Sequence, residues 1–171
     1  DGAAVRISDE RKKYAQKLEK AVMRELDELG MSNCVFKVVF ADLPDRKNCE
    51  KKFTAKGLDE VEFYLSPNAG QPLKPLTKII SGGEQSRFML ALKVISGKYD
   101  DIPSLVFDEI DTGISGTIGR EVAKKMAIIS TTRQVLCVTH LPQIAAMADK
   151  HFMIEKMSVK GRTKSVIKPL R

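Results

Sequence analysis

Three acidic residues close a short apolar run, Leu105-Val-Phe-Asp108-Glu109-Ile-Asp111. Carboxylates beside apolar chain are costly unless a cation, a substrate or solvent meets them. Asp108 can hold Mg²⁺, directly or through water. Glu109 can orient and deprotonate a water that attacks a phosphate. The plain alternative is a strand that ends in a solvated acidic turn. A second group is Ser81-Gly82-Gly83-Glu84. Ser81 and Glu84 have the spacing of a capping box, while Gly82 and Gly83 let backbone N–H groups approach an anion. A helix that starts there presents unpaired N–H groups and partial positive charge, which suits a phosphate. The same four residues also serve plain helix capping with no ligand. The third group is His140, closing Val135-Leu-Cys-Val-Thr139. A lone histidine at a strand end is usually structural.

These residues need elements to carry them. Residues 105–108 read as a buried strand of a parallel sheet, and such sheets place ligands at their carboxyl ends. Residues 134–139 read as a second buried strand, so His140 shares a rim with Asp108 if the two run parallel. A helix over 84–98, apolar on most faces, follows the Gly-Gly pair, with Met89 as core filler. Arg87 stands one turn past the glycines, where a phosphate, DNA or an acid is within its reach. Asp111-Thr-Gly is turn chemistry. Ser115 is placed to cap a helix over 116–129, with Ile118, Val122, Met126 and Ile129 inward and Glu121, Lys124 and Lys125 in water. Leu141-Pro142 starts a short helix over 143–148, with proline at its first turn. Residues 151–157 and 163–169 form a hairpin around Lys160-Gly161.

Ahead of the Gly-Gly pair, residues 7–29 repeat apolar side chains at Tyr14, Leu18, Val22, Leu26 and Leu29, steps of four and three that mark an amphipathic helix. Ser8 or Asp9 is placed to start it and Gly30 to end it; Arg11, Lys12, Lys17, Glu19, Lys20 and Glu25 fall on the other face. Residues 34–40 and 61–65 read as an antiparallel strand pair. Residues 42–57 are a polar loop and 71–76 an extended segment.

At 171 residues, 43% hydrophobic and 30% charged, the chain is sized for one domain or lobe. No apolar run approaches the roughly 20 residues of a membrane span, and no signal peptide is visible. Cys34, Cys49 and Cys137 lack metal-ligand spacing and read as reduced cytosolic thiols. The net charge of +7 is compatible with nucleic acid, with a nucleotide or with neither; scattered lysines are commonly solvated faces.

In chain order these pieces resemble the C-terminal half of an ABC-type ATPase head: signature loop, Walker B strand, D-loop and switch histidine. Residues 76–93 (LTKIISGGEQSRFMLALK), 106–119 (VFDEIDTGISGTIG) and 138–145 (VTHLPQIA) are similar, closer still, to the RecN family of SMC-like bacterial DNA-repair ATPases. The fold the resemblance implies is α/β: a mostly parallel sheet flanked by helices, half of a P-loop NTPase head, with the amphipathic helix and flanking antiparallel strands added. It implies that residues 1–30 are the root of a coiled-coil arm and 31–171 the C-terminal head lobe.

For the site, the resemblance implies ATP and Mg²⁺, with Asp108 at the metal, Glu109 and His140 catalytic, and Ser81, Gly82, Gly83, Glu84, Asp108 and Asp111 at the nucleotide. The glycine loop would act on ATP held by the opposite subunit. No Gly-x-x-x-x-Gly-Lys-Ser/Thr occurs in the 171 residues. The implied partners are therefore the N-terminal Walker A lobe of the same protein, a second head in a homodimer, and DNA, in the cytoplasm at the nucleoid and away from membrane. The chain by itself is expected to be inactive. The rival readings are a nucleotide-binding subunit of an ABC transporter, and a catalytically silent DNA-binding or scaffold module.

Overall fold

The structure is a computed structural model, and it describes residues 2–41, 57, 59–78, 82–159 and 162–170. Helix α1 spans Gly2–Glu28. It begins earlier than the periodicity predicts, because Ala3 and Ala4 continue it without a break. Ser8 is therefore no cap: its hydroxyl donates to Asp59 Oδ1 at 2.6 Å, and Arg11 donates to Asp59 Oδ2 at 2.8 Å. The helix ends as expected at Gly30, whose φ of +77° admits glycine readily. Met31 N–H donates to the Leu26 carbonyl and Gly30 N–H to that of Asp27, the paired bonds of a Schellman stop. Val22, Leu26 and Leu29 are fully buried, whereas Tyr14, expected in the same stripe, is 59% exposed. The first half of α1 runs out beyond the core.

Strand β1 (Val35–Phe40) pairs antiparallel with β2 (Val61–Ser66), and β3 (Lys74–Pro75) adds to the far edge of β2. A 3₁₀ turn, Leu76–Lys78, follows. The Glu19 carboxylate accepts from Val38 N–H and Lys37 Nζ, both at 2.9 Å, and so ties α1 to β1. Phe36 is buried between Phe63 and Phe88, with ring centroids 5.4 Å away in each case. That contact joins this sheet to helix α2, Gly82–Ser96, whose Phe88, Leu90 and Ala91 are fully buried. Met89, expected as core filler, is exposed on the opposite side. Asp100 anchors the far end of α2 through Lys93 (2.5 Å) and Arg133 (2.7 Å), which hold its carboxyl at about 2.

Strands β4 (Ser104–Phe107) and β5 (Gln134–Cys137) pair in parallel, in register from Ser104↔Gln134 to Phe107↔Cys137. Helix α3, Gly116–Ser130, connects them. Leu105, Phe107, Val135 and Cys137 face the core. Both strands were expected to be buried, but Val106, Leu136 and Val138 point to the bare face, Val106 at 69% exposure. Ser115 sits at the N-cap of α3, but its hydroxyl oxygen accepts no capping hydrogen bond. Lys125, assigned to water by its periodicity, is buried: its ammonium lies 2.6 Å from Glu25 Oε2 and from Glu28 Oε2. Glu25, placed on the polar face of α1, is buried with it. A spacing of about a hundred residues hid that pairing from the sequence.

Helix α4 is one turn, Pro142–Ala145, and the hairpin of β6 (His151–Val159) and β7 (Arg162–Leu170) ends the chain. His151 Nε2 meets the Ala148 carbonyl at 3.0 Å, a local contact. Among the described residues the parallel pairing is thus confined to β4–β5, beside antiparallel strands on both sides in sequence. Ser81, Cys49, the loop over 42–56 and the Lys160-Gly161 turn lie outside the described residues. Among those described, no helix is long and apolar enough to cross a membrane.

Candidate functional site

The parallel register of β4 and β5 brings Asp108 and His140 to one rim. β4 ends at Phe107, so Asp108 is the first residue past the ladder. Its Oδ1 accepts the Glu109 N–H at 2.9 Å, and its carbonyl accepts the Ser86 hydroxyl at 2.7 Å. Helix α2 is therefore fastened to the strand end at its second turn. Glu109 has φ +56°, the one positive value at a non-glycine among the described residues. A glutamate held there costs on the order of 1–3 kcal/mol, a strain that clusters at functional sites. The chain then turns tightly, with Thr112 N–H donating to the Glu109 carbonyl at 3.0 Å.

Gly82 and Gly83 sit directly on this turn. A methyl group at position 82 would collide with Glu109 Oε2. One at position 83 would lie 2.9 Å from the Thr112 carbonyl oxygen and 3.1 Å from that of Glu109. Backbone thus excludes a side chain at position 83, whereas one at position 82 would have to displace the Glu109 carboxylate. Glu84 falls in the first turn of α2, where its charge complements the helix start.

Arg87 completes the junction, and the partners it meets among the described residues are backbone carbonyls. It is buried, and its Nη1 donates to the carbonyls of Ile110 (3.3 Å) and Thr112 (2.9 Å). Its Nε has no partner among the described residues. Burial pulls its guanidinium below the usual range, with Glu84 pulling weakly the other way.

Asp111 turns inward and is 4% exposed. Its Oδ2 accepts the Thr139 hydroxyl, the His140 N–H at 2.8 Å and lies 3.1 Å from His140 Nδ1. Burial pushes this carboxyl up. The Thr139 hydroxyl, the His140 amide and the His140 ring outweigh that and hold it below the ordinary carboxylate value. The imidazole is thereby fixed at one nitrogen while the ring stays three-quarters exposed, open to a ligand on the rim. Thr139 also accepts Leu141 N–H at 3.0 Å. Sequence reasoning missed Thr139 and the role of Arg87. The first sat beside His140 in the motif, and the second stood one turn from the glycines.

The donor set bears on the cation. Among the described residues no group of three or more His, Cys, Asp or Glu side chains forms a metal cage. Mg²⁺ seldom uses such cages; it keeps waters and takes one or two carboxylates with substrate phosphates. Asp108, exposed and with Oδ2 uncommitted among the hydrogen bonds described, fits that mode. Burial, then Asp111 and Asp108, push the thiol of Cys137, on β5 nearby, up to about 11.

No family model matches the sequence. Individual relatives do. The chain is 44% identical over 165 residues to the DNA repair protein RecN of Halalkalibacterium halodurans, covering 96% of this chain and 29% of that protein. It is 43% identical over 175 residues to RecN of Bacillus subtilis, covering 98% and 30%, and 38% identical over 163 residues to RecN of Vibrio cholerae, covering 95% and 28%. The chain thus spans less than a third of the length of these relatives. Among solved structures, the fold resembles the Smc head domain of Pyrococcus furiosus, with its extended coiled coil and bound ScpA C-terminal domain, at TM-score 0.55, 21% identity, 93% of this chain and 36% of that one. It resembles the Smc head of Pyrococcus yayanosii at TM-score 0.54, 21% identity, 91% and 27%. Along nearly its whole length the chain is similar in sequence to part of the RecN DNA repair proteins, and its fold is similar to part of the Smc head domains.

Proposed function

We propose that this chain is the signature-loop lobe of an ATP-hydrolysing head that works in DNA repair, and that it acts with a Walker A lobe and a second head. What carries the reading is the junction of Gly82 and Gly83, the strand end at Asp108 and Glu109, and the Asp111–His140 pair. Bound there, Mg²⁺ would neutralise charge on the phosphates. Asp108 would hold the cation, directly or through water. Glu109 swings from its rest over Gly82 and takes a proton from the attacking water. His140, steadied by Asp111, donates to the γ-phosphate from the open side of its ring. Ser81, Gly82, Gly83 and Glu84 close over ATP held by the opposing head. The bare face of Val106, Leu136 and Val138 supports a covering lobe, since parallel strands are rarely left open. Residues 1–30 form the root of the arm and 31–171 the lobe, in a cytoplasmic, nucleoid-associated protein.

The test is Glu109→Gln in a protein carrying both lobes. The reading expects ATP-dependent dimers that persist because hydrolysis is blocked. A silent scaffold would behave the same with either residue, and that result would remove the catalytic assignment.

A further inference from the structure

Two consecutive residues of α2 grip the backbone on either side of Glu109. The Ser86 hydroxyl donates to the Asp108 carbonyl at 2.7 Å, and Arg87 Nη1 donates to the Ile110 carbonyl at 3.3 Å. The same nitrogen donates to the Thr112 carbonyl at 2.9 Å, and Thr112 N–H returns to the Glu109 carbonyl at 3.0 Å. Between these grips Glu109 has φ +56°. A residue with a side chain persists there only when its surroundings over-determine it. Buried Ile110, and Asp111 tied to Thr139 and His140, fix the side chains that follow. Ser86 and Arg87 fix the carbonyls, and with them the peptide planes around Glu109. Its carboxylate rests against Gly82. A return to right-handed φ would swing the Cα–Cβ bond and carry the carboxylate away from that place.

Stability does not account for an arginine at position 87. The residue is 6% exposed, and its Nε has no hydrogen-bond partner among the described residues. An unpaired buried donor is costly, and an apolar side chain of like volume fills such a space without that cost. What an apolar side chain cannot do is hold the carbonyls of Ile110 and Thr112. We infer that Arg87 is a positioning residue for hydrolysis: its guanidinium keeps the Glu109 backbone in the left-handed conformation from which the carboxylate reaches the attacking water. It acts through Glu109 and not by touching the nucleotide, since its Nη1 is committed to carbonyls inside the junction. The proposal rests on the ATPase reading above and adds to it the residue that aims its base. A displacement of about 1 Å at a reacting group can cost on the order of a hundredfold in rate.

The experiment has one arm without nucleotide. In the 171-residue chain, the backbone carbon chemical shifts of Glu109 report the sign of its φ. Arg87→Met should move them from left-handed toward right-handed values and leave those of Thr139 and His140 in place. Ser86→Ala, a smaller change that frees the Asp108 carbonyl, should move them the same way. Glu109 shifts unmoved in both variants overturn the proposal whatever the turnover. The second arm uses a protein carrying both lobes. There Arg87→Met should lower kcat by about tenfold to a hundredfold, with KM for ATP within about threefold of the parent. ATP-dependent dimers should form and persist longer, because Gly82 and Gly83 still close. Arg87→Lys keeps donors for the carbonyls and should turn over at least about threefold faster than Arg87→Met. A raised KM with kcat unchanged would make Arg87 a nucleotide contact. Lost dimers would make it a support for the glycine loop, and equal kcat in the two variants would make its donors irrelevant. Each of these overturns the proposal. No turnover by the parent with both lobes removes the ATPase reading instead, and the shift arm still decides whether Arg87 holds Glu109.

Discussion

Replacing Lys125 by methionine removes the ammonium that bridges Glu25 and Glu28. Its two contacts are both 2.6 Å, and the side chains of Lys125 and Glu25 are each 8% exposed against 47% for Glu28. Breaking a buried pair from one side costs about 3–5 kcal/mol, because the remaining charge stays desolvated. Arg24, 3.4 Å from Glu25 on the solvent side, softens this, so the lower end of that range is expected. Glu28→Gln should cost only about 0–1 kcal/mol, as an exposed partner does. Joining Glu25→Met to Lys125→Met should recover most of the loss, since an apolar pair of similar volume needs no desolvation. Urea midpoints at unchanged slope measure all three. The pH dependence has a definite sign. Hydrogen bonding and attraction from Lys125 hold Glu28 below its ordinary 4.5. Burial pushes Lys125 down, but Glu25 and Glu28 raise it above its ordinary 10.5. The contribution is therefore complete between those two ordinary values. It fades as pH falls through the lowered carboxyl value or rises through the raised lysine value. If Lys125→Met and Glu28→Gln cost the same small amount, the pair is solvated and the docking of α1 on α3 is misread.

Other outcomes are as definite. Gly83→Ala should destabilise by about 1–3 kcal/mol, because backbone oxygens of Glu109 and Thr112 stand in the way of its methyl. Gly82→Ala meets only the far end of Glu109, so stability should hold within about 1 kcal/mol while the carboxylate is displaced; equal losses at the two positions would contradict this geometry. Arg87→Met removes a buried charge that Glu84 compensates only in part, together with two carbonyl contacts, and these offset. Stability should change by less than about 2 kcal/mol, whereas hydrogen exchange at Thr112 should speed up. A protected Thr112 amide would show that the guanidinium does not hold the turn. Asp111→Asn should flatten acid sensitivity: the depressed carboxyl stabilises above its ordinary 3.8 and loses that effect as pH falls through its lowered value. An unchanged acid limb would rule the carboxyl out as its source.

The local grammar of the chain was legible. Apolar period placed α1 and α2, β-branched runs placed β1, β2, β4 and β5, and the carboxyl ends of the parallel pair gave the rim. Long-range polar pairing was not. Ser8 has a capping residue's chemistry, yet its hydroxyl belongs to Asp59, 51 positions on. Lys125 has a surface residue's spacing, yet Glu25 and Glu28 draw it inside. Periodicity carries the direction of a side chain but not the identity of what meets it. Tyr14 shows the converse: its spacing was apolar and regular, yet it is 59% exposed, with the Lys17 ammonium over its ring at 5.0 Å. Arg87 could be placed one turn past the glycines, but only the path of the 110–112 turn showed that its donors reach carbonyls.

ATP turnover by this chain, alone and then joined to a Walker A lobe from a relative, tests the central claim most directly. The account expects no turnover alone, and turnover after joining that Glu109→Gln abolishes. Hydrolysis by the chain alone, or hydrolysis of the joined protein indifferent to Glu109, would contradict it.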